Sequence, residues 1–323
     1  MPQPRIGSDD YYARRKTLLE VIRRGGQTAD FALAVDSLAL LDGRWLFPDD
    51  VSSCSREARA SFHEGEDLFA QGRFDDAIPH YEAASALCPG NAVIRTAYAD
   101  VHYRKGDFEK AREGFHAALA LDPWNRAAHR YLSDTEDRLG NRHAAYEEAV
   151  LAVVSDPTYE LGWYTLRLRM GGGDDMDRSH FFRPADVNGA DSSLMMDPTA
   201  LGDYGDVWMT YALAKLSAPP PHDSSMHARE LYGVRAALSQ CKATVRADAP
   251  GENRSSPGSV WRRLQRAEDA GFLEEAVFVH LMSPWLRDDY VAFRAARRAR
   301  LIEYVQRIAP LRPLSATGRV PRA

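Results

Sequence analysis

A period of 34 residues runs through the middle of the chain and limits its fold more than any other feature. Gly72, Gly106 and Gly140 stand in register, as do Ala77, Ala111 and Ala145. Ala84, Ala118 and Ala152 form a third column, and Pro89, Pro123 and Pro157 a fourth. Gly and Pro each make up only about 5–7% of an average sequence, so four aligned columns are not chance. Each column has a physical task. The Gly ends a first helix, where a positive φ costs only Gly little. The Ala residues let two helices approach closely. The Pro stops a second helix, because it has no N–H to continue the ladder. Aromatic residues recur too, with Phe74 and Phe108 two positions after the Gly and Tyr81 and Phe115 inside the second helix. The pattern predicts three helix–turn–helix units over Ala58–Tyr159.

On these columns the chain resembles the tetratricopeptide repeat (TPR) family. The resemblance implies an all-α, TPR-like α-solenoid, a right-handed superhelix of antiparallel helix pairs. Departures from the family pattern occur early in each first helix, where Ser61, Arg95 and His129 replace a large apolar residue, and at Ala149, where an aromatic is usual.

Around the three units the expected organisation is as follows. Residues 1–57 form an N-terminal helical cap, with Asp9 and Asp10 opening one helix and Thr28 capping a second. Solenoid ends need such caps, because each unit buries its faces only against neighbours. Residues 160–219 form a split fourth unit: Glu160–Met170 reads as its first helix, and the second half resumes at Gly202 with Tyr204, Tyr211, Ala214 and Pro219. The segment between, at about 172–201, reads as an insertion in the turn. It carries Asp174, Asp175, Asp177, Asp186, Asp191 and Asp197 against Arg178 and Arg183, a local charge of −4. Phe181, Phe182, Leu194, Met195 and Met196 favour docking over a solvated tether. An Arg-rich C-terminal helix is the expected seat. Residues 220–323 form a C-terminal helical region: one long helix over Ser224–Val245, a degenerate pair whose Gly271 and Ala276 repeat the Gly-to-Ala spacing, and a last helix over about Asp288–Ile308.

Composition excludes several function classes. The net charge of −5 gives no support to polyanion binding, so no nucleic-acid partner is expected. No apolar run reaches about 18 residues, so no membrane span is expected. Cys54, Cys88 and Cys241 are few, odd in number and without CxxC spacing. They argue against a disulfide framework and against zinc, and favour a reducing, cytoplasmic setting. The start of the sequence has no basic stretch followed by an apolar one, so it does not read as a secretory leader. His222 and His227 are five apart and lack a third ligand. The Gly171–Gly173 run has no Lys-Ser/Thr after it, so it is not a phosphate loop. No catalytic residue, metal site or cofactor is expected.

The resemblance implies that the first helices line a groove that holds a protein or peptide segment. Glu66, Asp100 and Asp134 recur at the repeat period and would form an acidic ladder on that surface. Phe62, Phe69 and Tyr103 would lie beside the ladder, Asp137 would extend it, and Arg104, Arg130 and Arg138 would interrupt it. The expected partner therefore mixes basic with apolar residues. A clamp for a C-terminal carboxylate is disfavoured, because it needs Lys and Asn where Glu and Asp stand. The favoured function is a non-enzymatic adaptor, chaperone or regulator. The alternatives are a substrate-recruiting component or enzyme of a peptide-modifying or biosynthetic pathway, and an oligomerisation scaffold.

Overall fold

The computed structural model describes residues 17, 51–171, 185–187, 194–196, 204–217, 226–241, 245, 257–282 and 286–307. The chain divides into two compact units, one of residues 47–174 with 314–323, the other of residues 1–46 with 175–313.

The first unit is a row of helices: α1 (Arg56–Ala70), α2 (Phe74–Leu87), α3 (Ala92–Lys105), α4 (Phe108–Leu121), α5 (Arg126–Arg138), α6 (Arg142–Ser155) and α7 (Glu160–Arg169). The first helix of each repeat is capped from its N-terminus. The side chains of Ser55, Asn91 and Asn125 accept the backbone N–H of Ala58, Ile94 and Ala128, which relieves donors the helix cannot satisfy itself. The repeated glycines turn the chain in the left-handed region, with φ of 73° at Gly72 and 84° at Gly106 and Gly140. Each helix packs on the next in sequence. Between the helices of a pair lie Ala77, Tyr81 and Ala84, then Ala111, Phe115 and Ala118, all fully buried. Close approach is built in: a Cβ on Gly114 would stand 2.7 Å from the Cβ of Ala99.

His129 explains one departure from the family pattern. It is 4% exposed, its Nδ1 lies 2.6 Å from Glu148 and its Nε2 3.1 Å from the Pro123 carbonyl. A polar ring is tolerated there because both nitrogens have partners.

The cysteines correct an expectation. Cys54 and Cys88 form a disulfide, with Cα atoms 5.7 Å apart and a sequence separation of 34. The reason is geometric. Helix α1 carries the chain away and α2 brings it back, so residues one repeat apart that flank this antiparallel pair become neighbours. CxxC spacing tests for metal and redox motifs and does not detect such a staple. With this pair bonded, the cysteines no longer favour a reducing setting. In the third repeat the same join, from the start of the first helix to the end of the second, is electrostatic: Arg126 Nη1 lies 3.2 Å from Asp156 Oδ2, both buried.

The second unit contains a short hairpin and six helices among the described residues. Strands β1 (Ala185–Val187) and β2 (Leu194–Met196) pair antiparallel, Ala185 opposite Met196. They lie against α8 (Gly205–Ser217). The rest of the insertion, with its aromatic and acidic residues, lies outside the described residues, as do the N-terminal cap apart from residue 17 and residues 51–57, and the tail beyond 307. Helix α9 (Met226–Gln240) packs on α8, and α10 (Pro257–Asp269) on α11 (Leu273–His280). Gly271 turns between the latter pair at φ 75°, and Ala276 is fully buried.

The expected last helix is two helices, α12 (Arg287–Ala296) and α13 (Arg298–Arg307). Arg297, at φ −124° and ψ 25°, breaks the run. Each half buries its own aromatic, Tyr290 in α12 and Tyr304 in α13. Trp208, Tyr211 and Trp261 form the aromatic centre of this unit, with ring centroids 5.0–5.7 Å apart. Beside them Lys215 Nζ meets Glu230 Oε1 at 2.5 Å, both buried. No helix among the described residues is long and apolar enough to cross a membrane.

Candidate functional site

First helices of successive repeats touch one another: α1 meets α3, α3 meets α5, and α5 meets α7, while the second helices make no comparable contact among themselves. The first helices therefore form one continuous face. Spacings of three and four residues bring Glu66 and Phe69 to one side of α1, Asp100, Tyr103 and Arg104 to one side of α3, and Arg130, Asp134, Asp137 and Arg138 to one side of α5.

The three repeat-related carboxylates have three different environments. Glu66 is exposed, and its Oε1 accepts the Tyr81 hydroxyl at 2.6 Å. Asp100 is 5% exposed. Burial pushes its carboxyl up to about 6, against the opposing pull of Arg104, Arg130 and a hydrogen bond from Tyr131, with Glu66 adding to the rise. Asp134 is clamped by two guanidinium groups, Arg169 Nη2 at 2.6 Å and Arg130 Nη1 at 3.2 Å. Burial still raises its carboxyl above the usual range, with Arg130 and then Arg169 opposing.

Arg169, at the end of α7, ties the network together. Its Nη1 reaches Asp137 Oδ2 at 3.0 Å and its Nε donates to Ser133 Oγ at 3.2 Å. Arg130 lies over the Tyr131 ring, its Cζ 3.7 Å from the centroid, and donates to Tyr159 Oη at 3.1 Å. Arg104 and Arg138 are exposed and rest on aromatic rings, Arg104 over Phe69 at 5.7 Å and Arg138 over Phe108 at 4.9 Å.

The ladder is thus not a row of solvated negative charges. One carboxylate is tethered, one is buried and one is neutralised. Phe62 stands apart from this face: it is 8% exposed and packs edge-on to Tyr81 in the core of the first repeat. Phe69 and Tyr103 are half-buried and lie edge-on to Phe74 and Phe108. Sequence reasoning missed Tyr131 and Arg169. Tyr131 adjoins Arg130, and Arg169 falls in the shortened fourth first helix, 35 residues after Asp134 rather than on the 34-residue register. Among the described residues no group of three or more His, Cys, Asp or Glu could hold a metal ion.

Repeated helix pairs that stack first helix on first helix define an α-solenoid. Residues 68–130 match the tetratricopeptide repeat family profile. With the 34-residue register and the helix pairs, that match makes this stretch of the chain a tetratricopeptide-repeat-like array. Similar solved structures include the first TPR of Spaghetti (RPAP3) bound to the HSP90 peptide SRMEEVD, at 22% identity and a TM-score of 0.35, covering 38% of this chain and 97% of that one. Another is a MamA RS-1 ArsTM double mutant, at 18% identity and a TM-score of 0.32, covering 50% of this chain and 84% of that one. No curated protein matches the chain.

Proposed function

We propose that the chain is an adaptor that holds a protein or peptide segment against the first-helix face of its TPR array, over Phe69, Tyr103, Glu66, Asp100, Arg104, Arg130, Asp134, Asp137 and Arg138. The supporting observation is that this face is continuous across four first helices and keeps two aromatic side chains half-exposed on it. Such rings supply most of the affinity in a peptide interface, and the charged groups around them set its register. The partner segment brings apolar anchors for Phe69 and Tyr103. Its basic group belongs at the Glu66–Asp100 end, because Asp134 is already paired with Arg130 and Arg169.

The test is a photo-crosslinking residue placed at position 103, with position 109 on the exposed side of α4 as control, in native lysate. The proposal expects a defined protein crosslinked from 103 and not from 109. Equal labelling from both positions, or none from either, rejects it.

A further inference from the structure

Asp100 differs from its repeat-related neighbours in one respect. Its Oδ1 is buried and accepts no hydrogen bond among the described residues. Tyr131 hydrogen-bonds this carboxylate but leaves Oδ1 without a donor, whereas Glu66 has Tyr81, and Asp134 and Asp137 have arginines. A buried carboxylate oxygen without a donor is costly and rare, and a donor arriving from outside would satisfy it. The nearest cation is Arg104, whose Nε stands 3.7 Å from Oδ1, at ion-pair distance but beyond a hydrogen bond. Arg104 is half exposed, and in the same position its guanidinium lies over the Phe69 ring at 5.7 Å. It covers the oxygen without satisfying it.

We propose that Asp100, assisted by Glu66, is the receiving carboxylate for one guanidinium or ammonium group of the bound segment, and that the half-exposed Arg104 swings away from Oδ1 to admit it. This rests on the reading of the first-helix face as a peptide site and names the charge that site takes. A planar guanidinium fits best, since it can donate to Oδ1 while stacking on a neighbouring ring. The groups that face Asp100 are Glu66 from α1, Tyr81 from α2, Arg104 on α3 itself, and Arg130 and Tyr131 from α5. The incoming cation competes with a proton for the same carboxylate. Its affinity falls as pH drops through about 6, towards about tenfold for each further pH unit.

The experiment titrates the full chain with N-acetyl-arginine amide and follows the Asp100 side-chain carbonyl signal by NMR. N-acetyl-citrulline amide, equal in shape and uncharged, is the control. The proposal expects saturable binding of the arginine probe, a lower Asp100 titration midpoint in its presence, and no response to citrulline. Asp100→Asn abolishes the response. Arg104→Gln removes the resident cation and tightens binding at least threefold. The proposal is overturned if the probe leaves the Asp100 signal unchanged, if citrulline acts equally, or if Arg104→Gln weakens binding. The two readings fail separately: crosslinking from position 103 without a response at Asp100 removes only the cation site. A response at Asp100 without crosslinking removes only the peptide reading.

Discussion

Breaking the Cys54–Cys88 staple tests how the first repeat is held. The perturbation is the double change Cys54→Ala and Cys88→Ala, with reduction by dithiothreitol as a parallel route. The two sulfurs join residues 34 apart. Closing a loop of that length removes about 4 kcal/mol of chain entropy from the unfolded state. The staple spans α1 and α2 alone, so the loss falls on that helix pair. Amide hydrogen exchange is the assay. If opening of α1 and α2 governs exchange, their slowest amides exchange up to about 10³-fold faster in the variant, since about 1.4 kcal/mol is tenfold. Helices α5 and α6, joined by Arg126 and Asp156, keep their rates. The reasoning is refuted if α1 and α2 are unaffected. It is also refuted if protein purified without reductant and then denatured titrates three free thiols rather than one.

Three further outcomes follow from the packing. Asp100→Asn stabilises the array at pH 7 by about 1–3 kcal/mol, because the carboxyl moves from 3.8 to about 6 on burial. The raised carboxyl is protonated in both states below about pH 4, so stability is lost as pH climbs from there to about 6 and is flat above; urea melts across that window should show this slope in the wild type and lose it in the variant. Gly114→Ala, though better for an isolated helix by about 1 kcal/mol, is net destabilising by ~1–2 kcal/mol in thermal melts, because the new methyl meets the Ala99 Cβ at 2.7 Å. Phe62→Ala costs about 3–5 kcal/mol of stability, as a buried ring of the first repeat does, and abolishes partner binding only by unfolding that repeat.

The helix pairs were legible because a 34-residue repeat shows the same residue doing the same job several times. Gly72, Gly106 and Gly140 turn where their register placed them, and Gly271 does so without a full repeat around it. The face itself was legible in outline, since helical spacing alone groups Glu66 with Phe69 and Asp100 with Tyr103. What spacing cannot carry is depth. Glu66, Asp100 and Asp134 occupy equivalent positions, yet the residues across from them differ: Tyr81 for the first, Tyr131 for the second, Arg130 and Arg169 for the third. All of these but Arg130, which lies one turn from Asp134 on α5, come from other helices, and Arg169 is off the register. Phe62 was misjudged for the same reason, because a ring at the start of a first helix serves the core or the face according to its neighbours. The disulfide was missed because spacing was tested against motifs rather than against the repeat, in which residues 34 apart can flank one helix pair.

The central claim is that the first-helix face of the array holds the partner. Hydroxyl-radical footprinting of the chain alone and with the protein segment crosslinked from position 103 tests it most directly. Phe69 and Tyr103 report the first-helix face; Leu87 and Leu121, exposed by 51% and 44% at the ends of the second helices, report the other side. The account predicts that oxidation of Phe69 and Tyr103 falls severalfold on binding while Leu87 and Leu121 keep their rates. Protection of Leu87 and Leu121 with Phe69 and Tyr103 unchanged would place the partner on the second helices and contradict it.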